Sequence, residues 1–198
     1  MSTSTATVPT RSQTDMTWLR LVQVCVAAIA VPLGILAVVN TFFTTVDASD
    51  FRYAADYWLT APGLPIAVAG VGIALGVHKL QHGADGRLGT LGLWIYVLSM
   101  AELFVQLLDS LVVAAEVRWG PSYPVFTLLS FVGLALLAAG SWRTGVLPRW
   151  VLGVWPLLWV IGSFAAIGPM PLLLIPFLVV LAVVLTGRFR NRAVDGGR

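Results

Sequence analysis

A stripe of polar side chains runs through an otherwise apolar part of the chain. Its members are Ser99, Glu102, Gln106, Asp109 and Glu116, and their separations of 3, 4, 3 and 7 residues place them on one face of an α-helix. A charged side chain in the middle of a bilayer costs roughly 2.5 to 3.5 kcal/mol on insertion scales, so such residues usually have a function. A carboxyl buried there without a cation can be neutralised by a proton. Glu102 and Asp109 are therefore candidates for binding a proton or a cation.

The depth of the stripe permits two interpretations. Glu102 is expected near the middle of the membrane, with Asp109 about two turns nearer the outside. The stripe would then form the wall of a polar cavity that opens outward. Alternatively, it is a polar seam in which protonated acids hydrogen-bond across a helix–helix interface. The candidate substrate or proton site consists of Glu102, Gln106, Asp109, Asn40, Ser99 and Ser163, with Thr127 at a similar depth.

Two other patterns favour structural roles. His78 and His82 are four residues apart, but Gly83 and Gly86 place His82 in a loop, and solvated loop histidines are expected rather than a metal site. Glycines at 70, 72 and 76 indicate close helix packing, because no strand precedes them as a phosphate-binding loop requires. Trp155 and Trp159 are expected to pack against neighbouring helices. The sequence predicts neither a metal nor a cofactor.

The composition indicates an all-α integral membrane protein. Of 198 residues, 58% are hydrophobic and only 11% are charged, against roughly 25% charged residues in soluble domains. In a soluble protein, the net charge of +3 would suggest binding to nucleic acid. Here the basic residues lie mostly at alternate span ends, so we expect no nucleic-acid partner. The expected partners are the lipid bilayer, with anionic headgroups near Arg188, Arg190 and Arg192, and possible further subunits in a homo-oligomer or larger membrane complex.

The apolar stretches predict a bundle of six transmembrane helices in one domain, residues 16–187. The last apolar stretch is too long for one span, and Gly168-Pro169-Met170-Pro171 divides it. Residues 1–15 are expected to form a disordered cytoplasmic tail, and residues 188–198 a basic cytoplasmic tail. The predicted spans are about 21–43, 58–77, 89–115, 124–141, 151–167 and 171–187.

Two signals predict the same orientation. Lys and Arg are concentrated in the N-terminal tail, the 78–88 and 142–150 loops and the C-terminal tail, which places both termini in the cytoplasm. Trp residues fall at span ends, as in an interfacial aromatic belt. A single Lys beside eleven Arg, with abundant Ala, Val, Leu and Gly, is typical of a high-GC bacterial genome. We therefore expect a multi-pass protein of the bacterial cytoplasmic membrane.

One connection resembles a known pattern. The segment from Trp142 to Trp150, Trp-Arg-Thr-Gly-Val-Leu-Pro-Arg-Trp, is similar to a cytoplasmic connection in uncharacterised small multi-span membrane proteins of actinobacteria. The resemblance covers nine residues and implies a basic cytoplasmic turn without an activity.

Three functions are consistent with these patterns. The first is proton- or cation-coupled transport of a small solute through an outward-opening cavity. The second is a membrane enzyme that uses carboxyl acid–base chemistry on a lipid or isoprenoid. The third is an accessory subunit whose polar stripe binds a partner helix. A wet or ligand-sized cavity beside Glu102 and Asp109 would favour the first two functions, and a sealed seam would favour the third.

Overall fold

The computed structural model describes residues 11–43, 51, 54–115, 121–164 and 169–195. All regular structure in these residues is helical, which confirms the predicted all-α class. The elements are α1 (Arg11–Phe42), α2 (Ala54–Thr60), α3 (Gly63–Leu80), α4 (Gly86–Val113), α5 (Ser122–Ser141), α6 (Arg149–Trp159), a π-helical segment (Val160–Phe164) and α7 (Pro171–Asp195).

Five helical stretches are long and apolar enough to cross a membrane, as expected of a multi-pass membrane protein. They are Gln13–Phe42, Asp56–Leu80, Gly86–Val113, Ser122–Ser141 and Pro171–Phe189. The predicted fifth span corresponds to Arg149–Ser163, which is apolar but shorter than the other five. A transmembrane helix needs about 20 residues. The sixth crossing and the cytoplasmic placement of the termini therefore stay predictions.

Helices extend into both predicted tails. Helix α1 begins at Arg11, so Arg11–Asp15 are helical and not part of a disordered tail; residues 1–10 lie outside the described residues. Helix α7 continues to Asp195, so most of the predicted basic tail is helical. The apolar pattern ends before the helices do, because polar residues with good helix propensity, such as Gln and Arg, let a helix continue beyond it.

The helices pack in a ring in the order α7, α1, α3, α4, α5 and α6, with the π-helical segment contacting α7. Tyr96 of α4 and Trp159 of α6 are both fully buried in its centre, and their rings meet edge to face with centroids 5.9 Å apart. A Cβ at Gly70 of α3 would meet both rings. Trp155 is also buried. The expected packing roles of Trp155, Trp159 and Gly70 are therefore confirmed.

Glycines bring α4 and α5 into backbone contact. A Cβ on Gly92 would lie 2.6 Å from the carbonyl oxygen of Gly133, and one on Gly140 would lie 2.6 Å from the backbone nitrogen of Gly89. Small residues allow this approach, which is common between membrane helices. On the other side of the bundle, Gly72 and Gly76 face Cys25 and Val22 of α1, which confirms the helix-packing interpretation of these glycines.

Candidate functional site

Gln106 joins the polar stripe of α4 to α5. Its Nε2 donates a hydrogen bond to Ser122 Oγ at 2.8 Å, and the same Nε2 contacts Glu102 Oε1 one turn earlier on α4. The Gln106 side chain is buried, and Glu102 is half-buried. The structure therefore brings two of the predicted site residues together and adds Ser122. This serine begins α5 and was not predicted, because the sequence does not show which helix end faces the stripe.

Two oxygens of this group have no hydrogen-bond partner among the described residues. They are Glu102 Oε2 and Gln106 Oε1, and both atoms are buried. Leaving a buried polar atom unpaired costs about 1 to 3 kcal/mol. A proton on Glu102 would convert its carboxylate into a hydroxyl donor beside the Gln106 amide. Among the described residues, the two unpaired acceptor oxygens thus have no donor, and a proton on Glu102 would supply one.

Asp109 lies at the edge of the α4–α5 pair. Its side chain is half-buried and makes no hydrogen bond or ion pair among the described residues. Its neighbours Val105 and Val112 are exposed on the outer surface of α4. The remaining stripe residue, Glu116, lies outside the described residues. Asp109 is therefore partly exposed to whatever surrounds the C-terminal half of α4.

Three further candidates bond within their own helices. Ser99 donates to the Ile95 carbonyl at 2.7 Å, Asn40 donates to the Leu36 carbonyl at 2.8 Å, and Ser163 donates to the carbonyl of Trp159. Such bonds to the carbonyl four residues earlier satisfy a polar side chain without a partner helix. The described contacts do not join these three residues to the Glu102–Gln106 group.

Two apolar grooves lie on the described helices. One of about 250 Å³ separates α3 from α4 and is lined by Ala67, Val68, Val71, Val97, Met100, Ala101 and Phe104. The other, about 470 Å³, lies between α5 and the α6–π-helical region and is lined by Tyr123, Pro124, Thr127, Leu128, Phe131, Leu157, Val160 and Ile161. Neither groove is lined by Glu102 or Asp109. Thr127 lines the second, where its hydroxyl oxygen is buried without a partner among the described residues.

A second polar group lies at the opposite end of the bundle, between α3, α4 and α5. His78 Nδ1 lies 2.6 Å from Asp85 Oδ2, and the Asp85 side chain is fully buried. The expectation of a solvated His78 was therefore wrong. Gly83 and Gly86 have φ values of +82° and +63°, which only glycine adopts readily, and this tight turn returns Asp85 to the end of α3. A His followed seven residues later by an Asp between two glycines was the available signal.

The same group includes a glutamine–serine bond. Gln81 Nε2 donates to Ser141 Oγ at 2.7 Å. Gln81 Oε1 and Asp85 Oδ1 are buried without a partner among the described residues. His82 lies in the loop as predicted, with its Nε2 2.9 Å from Asp15 Oδ1, an ion pair when the imidazole is protonated.

The described residues contain no group of three or more His, Cys, Asp or Glu side chains that could hold a metal ion.

Comparison with protein-family models, curated proteins and solved structures finds no match to this chain. The helices therefore define its class, a helical protein with several potential membrane spans, and the functional proposal rests on the residues themselves.

Proposed function

We propose that this chain is a multi-pass protein of the bacterial cytoplasmic membrane that binds a proton or a small cation at Glu102 and couples it to the transport of a small solute. The observation that carries the proposal is the pair of buried, unpartnered oxygens, Glu102 Oε2 and Gln106 Oε1. Two unpaired acceptors on residues that contact each other in a low-dielectric region favour a bound proton or cation.

The surroundings of the site support access from one side. Between Glu102 and the end of α4 that carries Gly89, the backbones of α4 and α5 touch at Gly92 and Gly133, which leaves no room for water between the two helices there. In the opposite direction, Asp109 lies about 10 Å from Glu102 along the helix, and its side chain is partly exposed. We propose that Asp109 receives the ion first and that Glu102 holds it.

Proton flux in reconstituted vesicles tests this function. Wild-type protein in proteoliposomes should acidify the lumen under an imposed potassium diffusion potential, as reported by an enclosed pH-sensitive dye. Glu102→Gln keeps the size and hydrogen bonding of the side chain but cannot carry the proton, so it should reduce the flux by about tenfold or more. Asp109→Asn should reduce it severalfold.

A matched control lies on the same stripe. Ser99 is buried and bonded only to its own helix, so Ser99→Ala should retain wild-type flux. Melting curves of all variants establish that they fold. Full flux in a folded Glu102→Gln variant would contradict the proposal.

One observation favours a second candidate, an accessory subunit without transport activity. The Gln106–Ser122 hydrogen bond joins two helices, which is what a packing seam contains. Asp109 would then pair with a helix of another subunit or a second copy. Under this alternative the wild type shows no proton flux, and Glu102→Gln changes only the melting temperature. Neither apolar groove is lined by a carboxyl group, so the grooves favour neither the enzyme nor a solute cavity beside Glu102.

A further inference from the structure

Three arginines at one end of the bundle lack acidic partners. The sequence has no Asp or Glu between Glu116 and Asp195, and Arg143, Arg149 and Arg188 lie within that stretch. All three side chains are exposed, and none makes an ion pair among the described residues. Asp15 and Asp85, at the same end, lie beside histidines. Among the acids whose side chains the structure describes, none therefore compensates these three arginines.

Two of these arginines contact the same connection, residues 142–148, between α5 and α6. The Arg149 guanidinium lies over the Trp142 ring, 5.9 Å from its centroid. Arg188 Nη1 of α7 lies 3.8 Å from the position of a Cβ on Gly145. Stacking on an aromatic ring restricts a guanidinium and leaves its edge available for an anion.

The connection itself is fixed to the bundle. Val146 and Leu147 are buried, which anchors its apolar side in the core. The Thr144 hydroxyl donates to the Ser141 carbonyl at 2.9 Å and accepts from the Val146 backbone N–H at 3.3 Å. Gly145, with φ of +66°, makes the turn that an L-residue would strain. The guanidiniums of Arg149 and Arg188 thus lie beside a turn that is fixed to the bundle.

We propose that this turn binds the phosphate of an anionic phospholipid headgroup, held by Arg149 and Arg188. The surroundings favour a lipid as the source of the phosphate. The turn lies at the ends of membrane-length helices α5 and α7, and the exposed Trp142 and Trp150 beside it have the amphipathic character of residues at headgroup depth. Arginine matches a phosphate with paired donors in one plane. The inference is independent of the transport proposal.

Lipid-dependent melting of the purified full-length chain tests the site. Phosphatidylglycerol added to the detergent should raise the melting temperature of the wild type, whereas phosphatidylcholine and sodium phosphate should not. Arg149→Gln and Arg188→Gln should each weaken the apparent phosphatidylglycerol affinity about fivefold, since one basic residue near an anionic surface contributes about that much. Arg149→Lys should lie between the wild type and Arg149→Gln, because it keeps the charge and loses the planar geometry.

Arg87→Gln is the matched control, because Arg87 is exposed at the start of α4, outside the connection. It should retain wild-type affinity. Equal losses in Arg87→Gln, Arg149→Gln and Arg188→Gln would overturn the site in favour of diffuse surface charge. An equal shift with phosphatidylcholine, or with sodium phosphate, would overturn the anionic lipid as the occupant.

Discussion

The two ends of α5 carry similar polar groups. At one end Gln81 donates to Ser141 at 2.7 Å, and at the other Gln106 donates to Ser122 at 2.8 Å. In each case a carboxyl lies four residues from the glutamine, Asp85 in the first and Glu102 in the second. We call these the Gln81 clamp (Gln81, Ser141, Asp85 and His78) and the Gln106 clamp (Gln106, Ser122 and Glu102).

The clamps differ in what compensates the carboxyl. Asp85 has an imidazole 2.6 Å away, so a buried negative charge there has a partner that can be positive. Glu102 contacts only a neutral amide, and its second oxygen has no partner among the described residues. Both clamps leave one amide oxygen and one carboxyl oxygen buried without a partner among the described residues, and they differ in that an imidazole lies beside Asp85 and only an amide beside Glu102. This difference is why we propose the Gln106 clamp, and not the Gln81 clamp, as the proton site.

The largest expected effect comes from the glycine contact between the clamps. In Gly92→Ala the new Cβ would strike the backbone of α5 at Gly133 and Leu137, and backbone atoms cannot turn aside as side chains can. The helices must separate, at a cost of about 3 kcal/mol, as for an overpacked core. Denaturant unfolding in detergent measures this cost.

Gly34→Ala is the control, because a Cβ at Gly34 in α1 would have no atom within 4 Å. It should leave the unfolding free energy unchanged or slightly raised. Equal stability of Gly92→Ala and Gly34→Ala would show that α4 and α5 are not in backbone contact. The two clamps would then not be separated by a closely packed stretch of the two helices.

Asp85 and Asp109 should differ in how much they stabilise the fold, and this difference is smaller than the effect of Gly92→Ala. Asp85→Asn removes the charge from a fully buried carboxyl beside His78 and should lower the unfolding free energy by about 2 kcal/mol. Asp109→Asn should change it by no more than about 0.5 kcal/mol, since Asp109 is partly exposed and has no partner among the described residues. Thermal unfolding of both variants at neutral pH makes the comparison. If Asp109→Asn lowered the unfolding free energy more than Asp85→Asn, the acid that stabilises the fold would be Asp109 and not Asp85.

Helical periodicity predicted much of this arrangement but only along single helices. It identified the stripe on α4 and the adjacency of Glu102 and Gln106, because residues four apart share a face. It also indicated helix packing at the glycines. Periodicity does not reveal which residue of another helix stands opposite, so Ser122 and Ser141 were missed as partners.

The Gln81 clamp was missed for a different reason. The Asp85–His78 contact depends on two positive-φ glycines that reverse the chain within a few residues. Their spacing indicated a loop, but the direction in which that loop returns depends on backbone angles and on the packing of α3 against α4. A histidine in such a loop therefore resembled a solvated residue, although the acid that pairs with it lay only seven residues away.

Among the contacts that join helices, the two serines have the smallest expected effects, and these effects differ in size. Ser122→Ala removes one bond from the Gln106 amide, which keeps its contact with Glu102. An interhelical hydrogen bond in a membrane protein contributes about 0.6 kcal/mol, and we expect a loss of that order. Ser141→Ala removes the only described side-chain partner of Gln81, whose other amide atom is already unpaired, and should cost about 1.5 kcal/mol.

Double-mutant cycles separate these costs from unrelated changes. The cycle of Gln81→Ala with Ser141→Ala should give a larger coupling energy than the cycle of Gln106→Ala with Ser122→Ala, because the Gln106 amide has a second N–H that still donates to Glu102 when Ser122 is replaced. The cycles use the same unfolding assay, and each serine is replaced by the same residue, so the helix propensities cancel to a first approximation. Equal coupling at the two ends would mean that the Glu102 contact contributes nothing to holding Gln106. The serine would then be as important for holding the Gln106 amide as it is for holding the Gln81 amide. The hydrogen bond from Gln106 to Glu102, which we assign to the ion-binding form of Glu102, would be absent.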